Sequence, residues 1–443
     1  MASTTIQRTP SSSGSNTVFT MSMWIKRSGL GAAQCLWSNG GSPQGQMSIL
    51  AGDDLIVYDG STTVINTNRK FRDVSAWYHI VLTCDAGASG DDKVKLYVNG
   101  VLETSFATDN RSSFSDLNNV NQSGQEMSIG SNGASGQYFD GVMSHINLID
   151  GTAYGADTFG SIDATTGEWK IKTSPSVTYG TNGFFLKMED SSNMDLDSSS
   201  NALTFTTNGT LTKSECCPSN VFATWNPLGA TAISYKNGNN TIYNSTNWQN
   251  SYSTLGMTKG KYYAEFKTLN ADKAVVGINP INTPQSTIIG ISGTNNRWGY
   301  GDGARDGRVL TYNGGAGTKS TGGSDSTYSS GSISANDILM VAVDMDNYII
   351  WTGVNGTWHN SATATEIQNG TTTNAMFTGF NSTSDTWFFA GTVENSTLEA
   401  NFGNGYFGTT AISSEGTNAS GIGKFEYDVP TGYTALSTKG LNE

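Results

Sequence analysis

Residues 93–106, KVKLYVNGVLETSF, carry the pattern that decides the fold. The first half of this stretch alternates aliphatic residues with polar or amphipathic ones, which is the period-two pattern of a strand with one buried face. Asn99 and Gly100 follow directly, and both residue types tolerate the positive φ angles of a tight hairpin turn. The stretch therefore predicts a β-hairpin.

Residues 337–358, DILMVAVDMDNYIIWTGVNGTW, show the same pattern in the second half of the chain. Two apolar runs are joined at Asp346-Asn347, and a Val-Asn-Gly turn follows at 354–356, the tripeptide that also occupies 98–100. Because the flanking sequences differ, we interpret the two stretches as parts of two sandwiches that use one kind of turn, not as a short-period repeat.

The rest of the chain also favours strands. Segments 17–26 (TVFTMSMWIK) and 77–84 (WYHIVLTC) are rich in β-branched and aromatic residues and are predicted core strands. The 53 glycines and the 14% of charged residues are typical of turns and strands, not of helices. We therefore predict an all-β protein of two tandem antiparallel β-sandwiches. The Gly-, Ser- and Asn-rich stretches 312–332 and 403–423 are expected to be loops or hairpin tips.

The length predicts two domains, because 443 residues exceed what one ordinary core organises. Pro218 and Pro227 interrupt any strand ladder within 214–232, so the join is expected there. We assign residues 1–225 to the first domain and residues 226–443 to the second.

The charge excludes one class of partner. A net charge of −13 opposes nucleic-acid binding, since that binding depends on Lys and Arg side chains that neutralise phosphates. No apolar stretch reaches the roughly 18 residues of a membrane helix, and residues 1–16 lack the apolar core of a signal peptide. We expect no membrane insertion, and a chain that stays in a cytoplasm until release.

The four cysteines are too few for a disulfide scaffold. Cys216 and Cys217 are adjacent and could be bridged only through a strained ring, so free thiols are expected. Cys35 and Cys84 could meet across a sandwich core, but the role of buried apolar filler is preferred. Spaced Cys or His pairs that would indicate zinc are lacking, and no cofactor is predicted.

The sequence offers little for catalysis. Glycoside hydrolysis needs two carboxylates roughly 5 to 10 Å apart, and the nearest cluster is MEDSSNMDLD, in which Asp195 and Asp197 share a face if the chain is extended. The surrounding Ser and Asn residues instead indicate a solvated turn. His79 and His145 lie within strand motifs and are expected to be packing residues, and neither they nor His359 neighbours a nucleophile signature. We expect no catalytic residue and no enzyme.

Two groups of residues remain as candidate binding sites. Calcium could be ligated by Asp53 and Asp54 or by Asp195 and Asp197, although neither pair matches an EF-hand loop, and structural turns are favoured. Stacking rings beside hydrogen-bonding groups suggest a ligand site in a loop. The alternative is that these aromatic residues pack in the core. The candidate residues are Trp298, Tyr300, Asp302, Arg305 and, past the second Val-Asn-Gly turn, Trp358.

Several motifs in order resemble the laminin-G-like, concanavalin-A-like jelly-roll family: FTMSMWIKR at 19–27, WYHIVLT at 77–83, VKLYVNGV at 94–101 and FDGVMSHINLIDG at 139–151. The opening QRTPSSSG at 7–14 and the run from 167 to 228 resemble one subgroup, found in virion structural proteins and tail fibres of marine bacteriophages. The second half is similar to a SPRY-type β-sandwich in KGKYYAEFK at 259–267, WGYGDG at 298–303, residues 337–358 and LEANFGNGYF at 398–407.

The resemblance implies two jelly-roll-type sandwiches and a function. It suggests a non-enzymatic phage virion protein, a tail fibre or a capsid-appended fibre or decoration protein, assembled in the host cytoplasm. The partners expected are further copies of the chain, in a homo-oligomer such as a trimer, other capsid or tail proteins, and host-surface glycans. Two alternatives stay open: a secreted carbohydrate-binding module or glycan-active enzyme, and a peptide-binding SPRY-type adaptor.

Overall fold

The computed structural model describes residues 3–40, 44–133, 136–228, 232–246, 248–271, 273–280, 307–313, 315–321, 324–329, 331–380 and 386–442. Strands dominate these residues, and the prediction of an all-β protein with antiparallel sheets is confirmed. The chain forms two compact units, Met1–Lys213 (unit 1) and Ser214–Glu443 (unit 2).

The strands of unit 1 are β1 (Thr5–Arg8), β2 (Val18–Arg27), β3 (Gln34–Asn39), β4 (Gln46–Ile49), β5 (Asp54–Tyr58), β6 (Thr63–Lys70), β7 (Tyr78–Asp85), β8 (Val94–Val98), β9 (Val101–Leu102), β10 (Phe106–Asp109), β11 (Met127–Ile129), β12 (Gly141–Asp150), β13 (Gly160–Ile162), β14 (Trp169–Ile171), β15 (Phe184–Leu186) and β16 (Thr206–Asn208). Short 3₁₀ turns occur at Gly90–Lys93, Arg111–Ser113 and Ala156–Thr158.

The strands of unit 2 are β17 (Ser234–Lys236), β18 (Thr241–Asn244), β19 (Gln249–Tyr252), β20 (Lys261–Thr268), β21 (Lys273–Pro280), β22 (Arg308–Asn313), β23 (Thr318–Thr321), β24 (Ser324–Thr327), β25 (Ile338–Asp344), β26 (Ile349–Val354), β27 (Thr357–Trp358), β28 (Phe377–Thr378), β29 (Trp387–Val393), β30 (Ser396–Asn401), β31 (Tyr406–Phe407), β32 (Thr410–Ala411) and β33 (Thr434–Ala435). Helix α1 spans Ala364–Asn369, and 3₁₀ turns occur at His359–Ser361 and Gly440–Asn442.

Unit 1 is a sandwich of two antiparallel sheets. Sheet A has the order β10-β6-β5-β4-β3-β11-β1-β16, and sheet B has the order β15-β12-β2-β7-β8-β9. Alternate residues of β2, namely Phe19, Met21, Met23 and Ile25, enter the core between the sheets, as the period-two pattern requires. The hairpin predicted for residues 93–106 is confirmed as β8 and β9.

Unit 2 is built in the same way. Sheet C has the path β17-β18-β30-β20-β25-β26-β27, with β28 beside β26 and β33 parallel to β20, and sheet D has the order β19-β29-β21-β22-β23-β24. Tyr262, Ala264 and Phe266 of β20 alternate into the core that the two sheets enclose. Residues 337–358 form β25, β26, the turn after β26 and the short strand β27, so the two predicted strands are confirmed there.

The two Val-Asn-Gly turns have one geometry. Asn99 and Gly100 have φ angles of 51° and 79°, and Asn355 and Gly356 have φ angles of 50° and 81°. In each turn the Asn side-chain oxygen accepts a backbone N–H from the strand that pairs with the one before the turn: that of His79 on β7 at 2.7 Å, or that of Ile338 on β25 at 2.9 Å. The paired positive φ angles are those of a type I′ turn.

A segment after sheet B covers the outer face of that sheet. We call residues 152–182 the first cover; they contain the β13–β14 hairpin and place Phe159, Trp169 and Tyr179 against Val81 and Ile149 of the sheet. Hydrogen bonds fix the first cover in place: the Thr83 hydroxyl donates to the Tyr154 carbonyl at 2.6 Å, and the Tyr179 hydroxyl donates to Asn147 at 3.2 Å. The central strands β2 and β7 of sheet B are therefore buried on both faces.

A second cover, residues 413–428, lies against the outer face of sheet C. The Phe425 ring meets the buried Tyr263 ring edge-on at 4.9 Å. The Glu265 carboxylate, fully buried on β20, accepts the backbone N–H groups of Glu426 and Tyr427 at 2.9 and 2.8 Å, and it also accepts from Tyr263 and Asn401. Burial raises the pKa of Glu265 to about 7, although its four donors favour the charged form.

The stretch 312–332, expected to be loops or hairpin tips, contains β23 and β24, which pair with each other at the edge of sheet D. The chain divides between Lys213 and Ser214, at the start of the 214–232 stretch where the join was expected and ahead of the assigned boundary at 225. Ala223 and Trp225 are buried in the core of unit 2, which explains why the residues before Pro227 belong to that unit.

All four cysteines are free, as expected; Cys35 lies on sheet A and Cys84 on sheet B, and both are buried. Among the residues that the structure describes, no helix has the length and apolar character needed to span a membrane.

Candidate functional site

Of the predicted ligand residues, the structure describes only Trp358. Trp298, Tyr300, Asp302 and Arg305 lie outside the described residues. Trp358 ends β27, is half-buried, and meets the ring of Tyr263 edge-on at 6.3 Å. Its surroundings are those of a packing residue on the outer side of sheet C.

The carboxylates of the first pair of calcium candidates, Asp53 and Asp54, form ion pairs within the fold. Asp53 pairs with the fully buried Arg27 at 2.9 Å through one oxygen and with Arg72 at 3.0 Å through the other. Asp54 pairs with Lys70 at 2.7 Å. Both oxygens of Asp53 and one oxygen of Asp54 are therefore engaged in ion pairs within the fold.

The second pair of calcium candidates is also used within the fold, and Asp197 corrects the expectation of a solvated turn. Asp197 is buried, and its carboxylate accepts the backbone N–H groups of Phe185, Ser199 and Leu203 at 2.8 to 2.9 Å. Asp195 accepts from the Thr207 hydroxyl at 2.7 Å. Within the described part of the chain, no three His, Cys, Asp or Glu side chains group closely enough to hold a metal ion.

His79 has the neighbours of a catalytic histidine but not the chemistry of one. Its buried ring is stacked between Trp24 at 4.6 Å and Trp169 at 5.9 Å. Its Nε2 lies 2.9 Å from the Ser22 hydroxyl, and its Nδ1 lies 2.9 Å from the Trp169 indole nitrogen. A serine beside a histidine is the first requirement for nucleophilic catalysis.

The second contact decides the tautomer. Because an indole N–H can only donate, Nδ1 must be the unprotonated acceptor, and Nε2 then carries the proton and donates to Ser22. The ring nitrogen that faces Ser22 therefore has no lone pair with which to accept a serine proton. Burial also lowers the pKa of His79 to about 3, so the ring stays neutral.

A polar cavity of about 450 Å³ lies in unit 2, where three loops meet at one end of the sandwich. Its lining residues come from the β18–β19, β20–β21 and β29–β30 connections and are Ser245, Thr246, Asn270, Ala271, Lys273, Glu394 and Asn395. The volume falls within the roughly 300–1,000 Å³ typical of small-ligand pockets. None of these residues was singled out by the sequence, since all stand in ordinary loops except Lys273, which begins β21.

The charged groups of the cavity form one pair. The Lys273 ammonium lies 2.9 Å from the Glu394 carboxylate and 5.1 Å from the centre of the buried Trp248 ring. Both charged side chains remain partly exposed, at 35% and 27%. The pair therefore presents an ammonium and a carboxylate to the cavity side by side.

The walls of the cavity are held by side-chain hydrogen bonds to the backbone. Asn270 accepts the N–H of Thr397 at 3.1 Å and donates to the carbonyl of Asn395 at 3.4 Å, which ties the β20–β21 loop to the β29–β30 loop. Asn395 has a φ of 44° and turns the chain between the last two strands of the site. The polar groups are thus preorganised.

Comparison with known proteins adds a family for unit 1. Residues 2–157 match the model of the concanavalin A-like lectin/glucanases superfamily. Together with the two facing antiparallel sheets, this match gives unit 1 a fold of the concanavalin A-like jelly-roll type. The match covers less than half of the chain. No curated protein matches the sequence.

Two solved structures are similar to the chain. The TRIM65 PSpry domain has a TM-score of 0.30 and 10% identity, over 40% of this chain and 91% of that one. The SPRY domain of human HERC1 has a TM-score of 0.26 and 16% identity, over 40% of this chain and 96% of that one. At such TM-scores the likeness carries no inference about this chain.

Proposed function

We propose that the protein is a non-enzymatic structural component of a bacteriophage virion, a tail fibre or a capsid-appended fibre or decoration protein with a SPRY-like second unit. The observation that supports this most is that the side chains best suited to catalysis make structural hydrogen bonds instead. The His79 lone pair is taken by Trp169, and the carboxylates of Asp197 and Glu265 accept backbone N–H groups. These side chains act as ties within sandwiches.

The proposed partners follow from the same role. Further copies of the chain would form a homo-oligomer, such as a trimer, and other capsid or tail proteins would anchor it. Loops at the ends of the sandwiches would contact host-surface glycans. The net charge of −13 suits a protein exposed at high copy number, because it limits indiscriminate binding to polyanions.

Electron microscopy of intact particles tests the proposal. Antibodies raised against the chain are expected to label capsid or tail at a fixed site and copy number. Labelling restricted to the cytoplasm of infected cells, with unlabelled particles, would refute the virion role.

A carbohydrate-binding module is the second candidate, and two observations favour it. Unit 1 matches a superfamily whose name includes lectins, and unit 2 holds the polar cavity. This candidate predicts the protein in culture medium, free of particles and bound to polysaccharide. Sedimentation of the secreted protein separately from virions would distinguish the two roles.

A further inference from the structure

We infer that the cavity at the loop end of unit 2 is a binding site for a neutral saccharide, recognised through the Lys273–Glu394 pair. The inference deepens the proposed function, because that function supplies surface glycans as ligands. It rests on four observations: a cavity of about 450 Å³, a lining in which every described residue but Ala271 is polar or charged, a charge pair of zero net charge, and walls fixed by hydrogen bonds.

The lining matches the hydrogen-bonding needs of a saccharide. Each sugar hydroxyl both donates and accepts, so it needs donors and acceptors close together. Lys273 only donates and Glu394 only accepts, and their charged atoms lie 2.9 Å apart, so two neighbouring hydroxyls can engage one partner each. The hydroxyls of Ser245 and Thr246 and the Asn395 amide lie on the same cavity and can take either role.

The charge of the lining selects a neutral ligand. Glu394 cancels the charge of Lys273 at short range, so a phosphate or carboxylate would gain from one group and lose to the other. A cation would be attracted by Glu394 and repelled by Lys273. Ala271 is the one apolar side chain in the described lining, which disfavours a hydrophobic ligand.

The rigid walls lower the cost of binding. Asn270 holds two of the three loops together, and Lys273 lies over Trp248, so its ammonium is held before a ligand arrives. Groups fixed in advance lose little conformational freedom on binding. The loop end is therefore a formed site.

Saturation-transfer NMR on the whole purified chain tests the inference. The probes are glucose, galactose, mannose, N-acetylglucosamine and their short linear oligomers, with phosphate and acetate as anionic probes. At least one neutral saccharide is expected to bind, with a Kd that changes less than about twofold between low and high salt, because no net charge is neutralised. An oligomer that binds more tightly than its monomer identifies a polysaccharide as the source.

Variants locate the site. Glu394→Gln is expected to weaken binding by about tenfold or more, the loss of a charge-assisted hydrogen bond. Ser245→Ala, at an exposed residue of the β18–β19 loop, is expected to weaken it by about threefold. The matched control is Glu215→Gln, because Glu215 pairs with Lys424 at 3.3 Å in the same unit, away from the cavity lining; it is expected to leave the Kd unchanged.

Three results would overturn the inference: no transfer to any saccharide, tighter binding of phosphate or acetate than of sugars, or equal binding by the Glu394→Gln variant and the unmodified chain. None of them depends on whether the protein is found in a particle. Virion labelling without saccharide binding would support the proposed function and refute the saccharide site. Saccharide binding without virion labelling would support the site and refute the virion role.

Discussion

Single residues show how side chains suited to catalysis serve structure instead. His79, Ser22 and Trp169 have the spacing of a nucleophile, a base and an orienting group, yet Trp169 is a donor, whereas the orienting group of a catalytic triad is an acceptor. That one difference reverses the tautomer and removes the base. The identity of the atom beyond the histidine therefore decides between catalysis and packing.

The tautomer is a testable property of His79. Nitrogen-15 NMR of the folded chain is expected to show a protonated Nε2 and an unprotonated Nδ1, with no titration of this ring between pH 7 and 5, because burial lowers its pKa to about 3. A proton on Nδ1, or a ring that becomes charged in that range, would contradict the assignment.

Trp169→Phe keeps an aromatic ring over His79 but removes the indole donor. The variant is expected to lose about 1–3 kcal/mol of unfolding free energy, because a buried acceptor loses its partner. Calorimetry of the whole chain measures the shift. Lys170→Met on the same hairpin, which removes only the exposed pair with Asp163, serves as the control and should leave the transition in place.

At the scale of elements, each sandwich joins two strands through a Val-Asn-Gly turn that also supports the covering segment. A Cβ on Gly100 would lie 2.4 Å from the Trp169 ring, and one on Gly356 would lie 2.9 Å from the Tyr427 ring. Glycine is required at both turns for its positive φ and for the ring that rests on it. The turn and the cover are therefore coupled in each unit.

Alanine at these glycines tests the coupling. Gly100→Ala and Gly356→Ala are each expected to cost about 2–4 kcal/mol, the sum of a left-handed backbone and a steric overlap. Gly124→Ala is the matched control, since Gly124 has a φ of 75° with open space around it, and should cost about 1 kcal/mol. Equal melting shifts in all three variants would show that the rings do not rest on the turns.

The tie between β20 and the second cover is a second test at this scale. Glu265→Gln replaces an accepting oxygen with a donating amide, so the N–H of Glu426 or Tyr427 loses its acceptor. A loss of about 2–3 kcal/mol is expected, with faster hydrogen exchange at both amides. Asp428→Asn, which keeps an acceptor oxygen for Thr417, should leave exchange at those amides unchanged.

At the scale of the whole chain, the two units respond differently to acid. In unit 1 burial lowers the pKa values of His79 and His145, so unfolding takes up protons and stability falls as the pH drops below about 6.5, the value of a free histidine. In unit 2 burial raises the pKa of Glu265 to about 7 and lowers that of His359 to about 4. The Glu265 contribution grows as the pH falls from 7 to about 4.5 and offsets the loss from His359.

Calorimetry at pH 7 and pH 5 is expected to show a larger fall in Tm for unit 1 than for unit 2. The two melting transitions are assigned by substitution: Gly100→Ala should lower the Tm of unit 1 and Gly356→Ala the Tm of unit 2. A larger fall for unit 2 would contradict the pKa directions given for Glu265 and His359.

Sequence patterns predicted the strands well and the covers poorly. Strands β2 and β7 follow from β-branched and aromatic content, and β8, β25 and β26 follow from apolar runs beside Asn-Gly or Asp-Asn turns, because all of these signals are local. Neither cover was indicated by the sequence, since Trp169 and Tyr427 stand in polar surroundings and their partners lie far away in the chain. The role of Asp197 was missed for the same reason: its partners are backbone N–H groups, which leave no mark in the sequence.

The cavity could not be predicted from the sequence. Ser245, Asn270 and Glu394 stand in three separate loops, and only the pairing of β18, β20 and β29 with their neighbours brings them together. Trp358 was a candidate ligand residue because an aromatic ring follows a turn there. In the structure its ring lies against Tyr263 and not at the cavity. A turn signal locates a loop but not its neighbours.

The double burial of β2 and β7 in sheet B also bears on how the protein can change. A substitution on either side of these two strands disturbs one of two packed interiors, so the centre of the sheet tolerates little variation. Freedom to vary is left to the connections at the ends of the strands. New specificities would therefore arise by exchange of whole loops, and loop grafting between related chains should preserve the fold where single replacements within the sheet would not.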